Sequence, residues 1–177
     1  MSIPAATSVH AIAAEKLRTM LSRSTTMQGE LVGSESTALS HVYFGATPNL
    51  ENQTAYPRPF WIIGLTDDVR HRLIAGGGQN QLRPSGSLAF FGIRNTPSIY
   101  IEGSDCDYSA AEIDHMNFFG GVLDDVAALA GDDDNLSVTE IVTRDFAEVD
   151  AKYWDQLGRF YFISGVIQWG DELAGRM

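Results

Sequence analysis

An α+β fold is expected for this chain of 177 residues: a mostly antiparallel sheet, one or two helices packed on a face, and a long polar arm. Three features lead there. The first is the segment 158–170, GRFYFISGVIQWG, where aromatic and β-branched residues run between two glycines as in one long strand. Alternation puts Phe160, Phe162, Ser164 and Val166 on one face. Tyr161, Ile163, Ile167 and Trp169 take the other, after any slip at Gly165. A strand with one wet face alternates apolar with polar residues; this one is apolar on both. It is therefore expected at the centre of the sheet, with a helix on one side and a second sheet or another subunit on the other. The second feature is a pair of segments, 7–23 and 109–131, with apolar residues at helical spacing. The third is that the remaining β-like runs are grouped and do not alternate with helices, which favours α+β over α/β.

In chain order, Val9, Ile12, Ala13, Leu17, Met20 and Leu21 form the apolar stripe of the first helix, with Glu15, Lys16 and Arg23 opposite. Thr7 or Ser8 caps its start. Its polar face is neither long nor basic enough for a membrane surface. Residues 24–57 are polar, with β-like pieces at 30–32 and 41–44. They exceed the usual connection in a compact domain and read as an arm or loosely held hairpin that orders against a neighbour. Tyr56-Pro57-Arg58-Pro59 stiffens the chain into a strand at 60–65, and Thr66-Asp67-Asp68 turns it. Strands at 69–75 and 87–94 flank the loop Gly76-Gly77-Gly78-Gln79-Asn80, completing a meander. Residues 95–108 are irregular. Ser109-Ala110-Ala111-Glu112 has the form of a capping box. Behind it Ile113, Met116, Phe119, Val122, Leu123, Val126 and Ala130 mark the core face of the second helix, and Gly131 ends it. After the turn Asp132-Asp133-Asp134-Asn135, a strand at 136–146 and a connection at 147–157 lead into the long final strand.

Composition narrows the functional classes. Length fits a single domain over residues 1–177, and 44% apolar with 20% charged residues is ordinary for a globular protein. With 23 acidic against 12 basic residues, the net charge of −11 repels a phosphate backbone. Contact with DNA is compatible with this only if the DNA is let past and not gripped. The lone Cys106 excludes an internal disulfide and multi-thiolate zinc, and suits a reducing compartment. No basic-then-apolar leader opens the chain, and no run approaches the roughly 20 apolar residues of a membrane span. The expectation is a protein made in the cytoplasm and kept there, or assembled there into something larger.

No motif for catalysis stands out. Gly76-Gly77-Gly78 lacks the spacing and the Lys-Ser/Thr of a P-loop and lies between strands, so a flexible hairpin tip is the better reading. Asp132–Asp134 and Asp105-Cys106-Asp107 supply no register of calcium ligands. Glu112 and His115 have a Glu-x-x-His spacing, but a di-iron bundle needs a second such motif and two further glutamates. His10, His41, His71 and His115 lie in unrelated segments, each read as a surface or satisfied side chain. G-x-S-x-G is absent, and the aspartates beside Cys106 oppose an activated thiolate. Pairs such as Asp124-Asp125 carry little information in so acidic a chain. Arg70, Arg72, Arg83 and Arg94 give the strand region a basic cast. With no aromatic ladder between them, ion pairs between subunits are favoured over nucleic acid. No metal and no cofactor is called for. The interface expected from the residues is Gly76, Gly77, Gly78, Gln79 and Arg83 at the loop, with His41, Tyr43 and Phe44 in the arm.

This order of elements resembles the tail terminator (tail completion) proteins of long-tailed bacteriophages. The likeness rests on the N-terminal helix, the Pro-Phe-apolar strand at 59–63 and the meander around 72–74 and 88–93. It continues through the amphipathic helix at 113–130 and the strands at 136–146 and 160–169. It covers nearly the whole chain, through element order and spacing and not through a signature motif. The arm and the segment 95–108 exceed the leanest members. The resemblance implies a structural virion protein, not an enzyme: a homo-oligomeric ring, usually a hexamer, at the head-proximal end of the tail. Such a ring stops tail-tube growth, meets the tail tube protein on one side and the head-completion or neck protein on the other, and lets DNA pass through its lumen without specific binding. No membrane is involved. A tail-tube or head-completion protein, and a small α/β enzyme or ligand-binding domain with its site near 76–83 and 105–115, are the other classes compatible with the sequence.

Overall fold

The computed structural model describes residues 8–45, 57–74, 81–102, 105–131, 137–148 and 160–170. Ser8 opens α1 (Val9–Arg23), its Oγ accepting the Ala11 N–H at 3.2 Å. Ala13, Ala14, Leu17, Met20 and Leu21 are buried, whereas Ile12 is 42% exposed. Ser24 then caps α2 (Thr25–Leu31) by accepting the Met27 N–H at 3.1 Å. After α3 (Glu35–Leu39), β1 (Val42–Phe44) joins the sheet. The first half of the expected arm is thus part of the folded core, with Met27, Ala38 and Val42 buried. The β-like piece at 30–32 is helical instead, because the Ser24 cap starts a helix that runs to Val32. That residue closes it in the left-handed region at φ 47°. Residues 46–56 of the arm lie outside the described residues.

The sheet is organised on a long ribbon. β2 (Phe60–Ile74) and β3 (Gln81–Asn95) pair antiparallel from Phe60↔Ile93 to Ile74↔Gln81. Thr66-Asp67-Asp68 does not turn the chain. Leu65 pairs with Leu88 and Val69 with Gly86, so these three residues bulge opposite Ser87, and one strand replaces the two expected. Polar residues that look like a turn are absorbed as a bulge when both flanking runs share one partner.

A 3₁₀ turn (Ser98–Tyr100) and a small hairpin, β4 (Ile101–Glu102) with β5 (Asp105–Cys106), lead to α4 (Tyr108–Gly131). The cap of α4 is Asp107, whose carboxylate accepts the Ala110 N–H at 3.1 Å, and not the expected Ser109 box. A carboxylate there also meets the positive end of the helix dipole. Ala111, His115, Phe119, Val122, Val126 and Ala130 face the sheet. Ile113 and Met116, expected in that stripe, are 60% and 55% exposed. β6 (Ser137–Glu148) and β7 (Phe160–Gly170) complete a five-stranded sheet in the order β1-β2-β3-β7-β6, with β1 parallel to β2 and the other pairs antiparallel.

β7 is central, between β3 and β6, as its two apolar faces require. Its register with β3 is unbroken from Ser85↔Gly170 to Asn95↔Phe160, so no slip occurs at Gly165. Glycine stands there because a Cβ would run into the Phe90 ring and the Val142 carbonyl. The helices cover one face over Leu17, Leu21, Trp61, Ile163 and Ile167. The other face holds a second cluster of Phe60, Ile62, Phe91, Ile93 and Phe160. Phe60, Ile93 and Phe160 are each 0% exposed within the single chain, so this cluster does not need another subunit to keep it dry. Burial of side chains this large stabilises by roughly 1.5–3 kcal/mol each. No helix among the described residues is long and apolar enough to cross a membrane.

Candidate functional site

Of the interface residues read from the sequence, three lie at β1. The His41 ring donates from Nδ1 to the Pro59 carbonyl at 2.6 Å, and its own carbonyl accepts the Trp61 N–H at 2.8 Å. Tyr43 packs edge-on against Phe60 at 6.2 Å. These two residues clip β1 to the start of β2. Phe44 is 37% exposed, with the Arg18 guanidinium 5.5 Å from its ring centre. Gly76, Gly77, Gly78 and Gln79 lie outside the described residues. Position 83 is on β3, paired with Arg72 of β2. Phe44 pairs with Ile63, nine residues earlier on β2 (63 to 72), so the two groups stand roughly 25–30 Å apart along the strand. The fold does not gather them into one site.

Two other regions of the sheet stand out. The first is the far half of the β2–β3 ribbon, from the bulge to Ile74↔Gln81. β7 and β3 are paired from Asn95↔Phe160 to Ser85↔Gly170, and β2 and β3 from Phe60↔Ile93 to Ile74↔Gln81. By register, positions 70, 72 and 83 share one of its faces, and Arg72 and Arg83 are direct cross-strand partners. Like charges so placed are destabilising.

The second surface lies along β6, the edge of the sheet opposite β1. A groove of about 440 Å³ runs between β6 and α4. Leu123, Ala127, Val138 and Ile141 give it an apolar floor, and Asp124 and Glu140 bring acid to it. Asp145 and Arg144 follow along the exposed strand, leaving a local excess of negative charge. The outer face of α4 carries the apolar character further, through the exposed Met116 and Ile113. β6 is the last strand among the described residues, and an edge strand beside an apolar groove is a docking template unless something blocks it.

The polar interior is structural. Arg94, 5% exposed, donates through Nε and Nη2 to the two Glu30 oxygens at 2.7 and 2.9 Å, and through Nη1 to Asp114 at 2.6 Å. Its guanidinium also sits 4.7 Å from the Phe118 ring centre. Burial alone would lower its pKa, but the bonds and charges of Glu30 and Asp114 outweigh that and raise it, so it stays charged. The sequence reading that grouped Arg94 with intersubunit cations is corrected: its acids come from α2 and α4 of the same chain. Beside it His115 is fully buried, stacked on Tyr161 at 4.3 Å and bonded to Thr96 at 3.2 Å, with Nδ1 unpartnered. Burial first, then the Arg94 charge, lowers its pKa to about 4. Asp125 pins α4 to α2 by accepting the Thr26 N–H at 3.0 Å and the Ser24 hydroxyl at 2.7 Å. Burial pushes its carboxyl up, and those bonds bring it below the usual range.

Among the described residues, no group of three or more His, Cys, Asp or Glu is placed to hold a metal ion. Glu112 is exposed while His115 is buried, so their i, i+3 spacing forms no chelate. No protein-family model matches the chain, and no curated protein matches it as a relative. Sequence reasoning missed the groove because it depends on where β6 pairs. The Arg94 network had one legible signal, a lone arginine ending an otherwise apolar strand.

Proposed function

We propose that this protein is a structural component of a virion, a ring-forming tail terminator that caps the tail tube and joins it to the head or neck. The observation that carries the reading is the groove between β6 and α4, where Asp124 and Glu140 stand over an apolar floor beside the exposed Met116 and Ile113. A copy seated on such a groove offers it a different face of its own, so association is head to tail. Such contacts either close into a ring or run on as a filament. The order of elements, similar to that of tail terminators, favours closure at the head-proximal end of a tail. An acidic chain of net charge −11 suits a lumen through which DNA slides, because it repels phosphate.

Light scattering on the purified chain, together with negative-stain imaging of it and of tails, tests this. A closed ring, or a monomer found as a ring at the head-proximal end of tails, is the expected result. Long stacked tubes would transfer the assignment to a tail-tube protein. A monomer that never appears on tails would overturn the virion reading.

A further inference from the structure

We infer that the groove between α4 and β6 receives the outer face of α1 from the next copy. This rests on the ring reading and names the two surfaces that would close it.

Three observations point to α1 as the occupant. The first is charge. Lys16, Arg18 and Arg23 against Glu15 leave α1 at +2, in a chain whose net charge is −11. α4 carries Glu112, Asp114, Asp124 and Asp125 with no lysine or arginine, a charge of −4. Asp114 and Asp125 are bonded inside the chain, whereas Asp124 and Glu140 are exposed at the groove. Surfaces so unlike in charge attract across an interface, and two copies of the same acidic groove would repel each other.

The second is shape. Ile12, Lys16, Thr19 and Arg23 recur at helical spacing on the side of α1 opposite its buried stripe. Ile12 is 42% exposed there, an apolar anchor beside two cations. The Arg23–Glu35 pair is 57% and 48% exposed, so turning Arg23 toward another carboxylate costs little. From Ile12 to Arg23 this face runs roughly 16 Å, and α4 from Ile113 to Ala127 runs roughly 21 Å. A helix laid in a groove sets its apolar anchor on the floor, here Leu123 and Ile141, and its cations at the acidic rim.

The third is Gly120. Gly121 beside it is required by the fold, because a Cβ would meet the Thr26 side chain at 3.0 Å. At Gly120 a Cβ would meet nothing within 4 Å, so packing inside the chain does not call for glycine. Glycine weakens a helix interior, and it also lets another backbone come close. Gly120 lines the groove, where that close approach would occur.

A chain's own α1 does not reach its own groove. α1 lies over β1, β2 and β3, whereas α4 lies over β7 and β6 and the groove opens on the β6 side. The contact is therefore between copies, and it is heterologous.

Cysteine cross-linking in the full chain tests it. In a Cys106→Ser background, Thr19→Cys and Asp124→Cys chains are mixed under mild oxidant. The control replaces Asp124→Cys with Ile99→Cys, at a position 81% exposed. The expected result is a mixed disulfide formed about tenfold more than in the control. Gly120→Leu fills the groove without touching the core, so it should cut self-association on the order of tenfold at undiminished thermal stability. Lys16→Glu with Arg23→Glu should cut it similarly, and adding Asp124→Lys and Glu140→Lys should restore it. Circular dichroism and thermal unfolding establish that each variant folds.

If the native chain closes into rings on its own or on tails, but the cross-link stays at control level and Gly120→Leu assembles as the native chain does, the interface assignment is wrong and the ring reading stands. If the native chain never assembles in either setting, the ring reading fails with it. A Gly120→Leu chain that forms normal rings but no longer joins tails would give the groove to a different protein and overturn the inference.

Discussion

Arg94 and Arg83 stand near opposite ends of β3, eleven residues apart (83 to 94), and their surroundings differ completely. Where helices cover the sheet, Arg94 is buried, held by two carboxylates from two helices, and stacked on a phenyl ring. Near the start of the strand, the cross-strand partner of Arg83 is another arginine. The covered end completes its electrostatics within the chain; the other end sets two cations opposite one another in the strand register. Changes at the covered end should therefore cost folding, and relieving the like charges at the other end should favour it.

The largest effect is expected in the covered sheet, at Gly165→Ala. A Cβ there meets the Phe90 ring and a backbone carbonyl, and β7 has neighbours on both sides that cannot both retreat. A loss of 3 kcal/mol or more, on the order of the worst overpacking changes, should appear as a lowered urea midpoint or as insoluble protein. Normal stability in this variant would show that the register of β3, β7 and β6 is not the one described.

Arg94→Ala comes next, at about 3 kcal/mol, because it strands Glu30 and Asp114 and empties the space beside Phe118. Both acids are about a third exposed, which keeps the penalty below that of a fully buried pair. Arg94→Lys should recover part of the loss and not all of it, since a single ammonium cannot replace the two-pronged contact with Glu30.

His115 makes the covered end sensitive to acid. Its folded pKa, about 4, lies below the ordinary histidine value of 6.5. Between those two pH values the unfolded chain binds a proton that the folded chain refuses. Its contribution is therefore fully present above pH 6.5 and is lost as pH falls toward 4. A drop on the order of 2–3 kcal/mol across that window follows from linkage. His115→Phe keeps the stacking on Tyr161 and removes the titration, so its stability measured from pH 7 to 4 should fall by that much less. An identical pH slope in the two proteins would show that the imidazole is not sealed off.

The smallest effect, and the sharpest in sign, belongs to the Arg83 end of β3. Arg83→Glu places an acid opposite Arg72, which should raise the thermal stability of the unassembled chain by roughly 0.2–1 kcal/mol. A core residue would show the reverse. Destabilisation here would mean that Arg83 is already satisfied within its own subunit, and the contrast between the two ends of β3 would collapse.

How much was legible in the sequence follows from range. The first helix, the Ser8 cap and the central position of β7 could be read because each depends on local spacing or on one segment's own composition. The turn expected at Thr66-Asp67-Asp68 and the strand expected at 30–32 misled for the opposite reason. In both, a partner elsewhere in the chain overrode a locally reasonable signal. Ile113 and Met116 show a third case: α4 is apolar on two sides, so its pattern alone does not say which side meets the sheet.

Apolar periodicity is a property of neighbours along the chain, so the sequence alone was enough to set the α+β class, the helix faces in outline and the grease on both sides of the last strand. Whether that second face is covered, which arginine meets acids of its own chain, and where a groove opens beside β6 are properties of segments distant in sequence. They became definite only when strand order and register were set. A salt bridge between residues 30, 94 and 114, or a bulge instead of a turn, has no counterpart in local pattern, because its energy comes from groups that meet only in the folded chain.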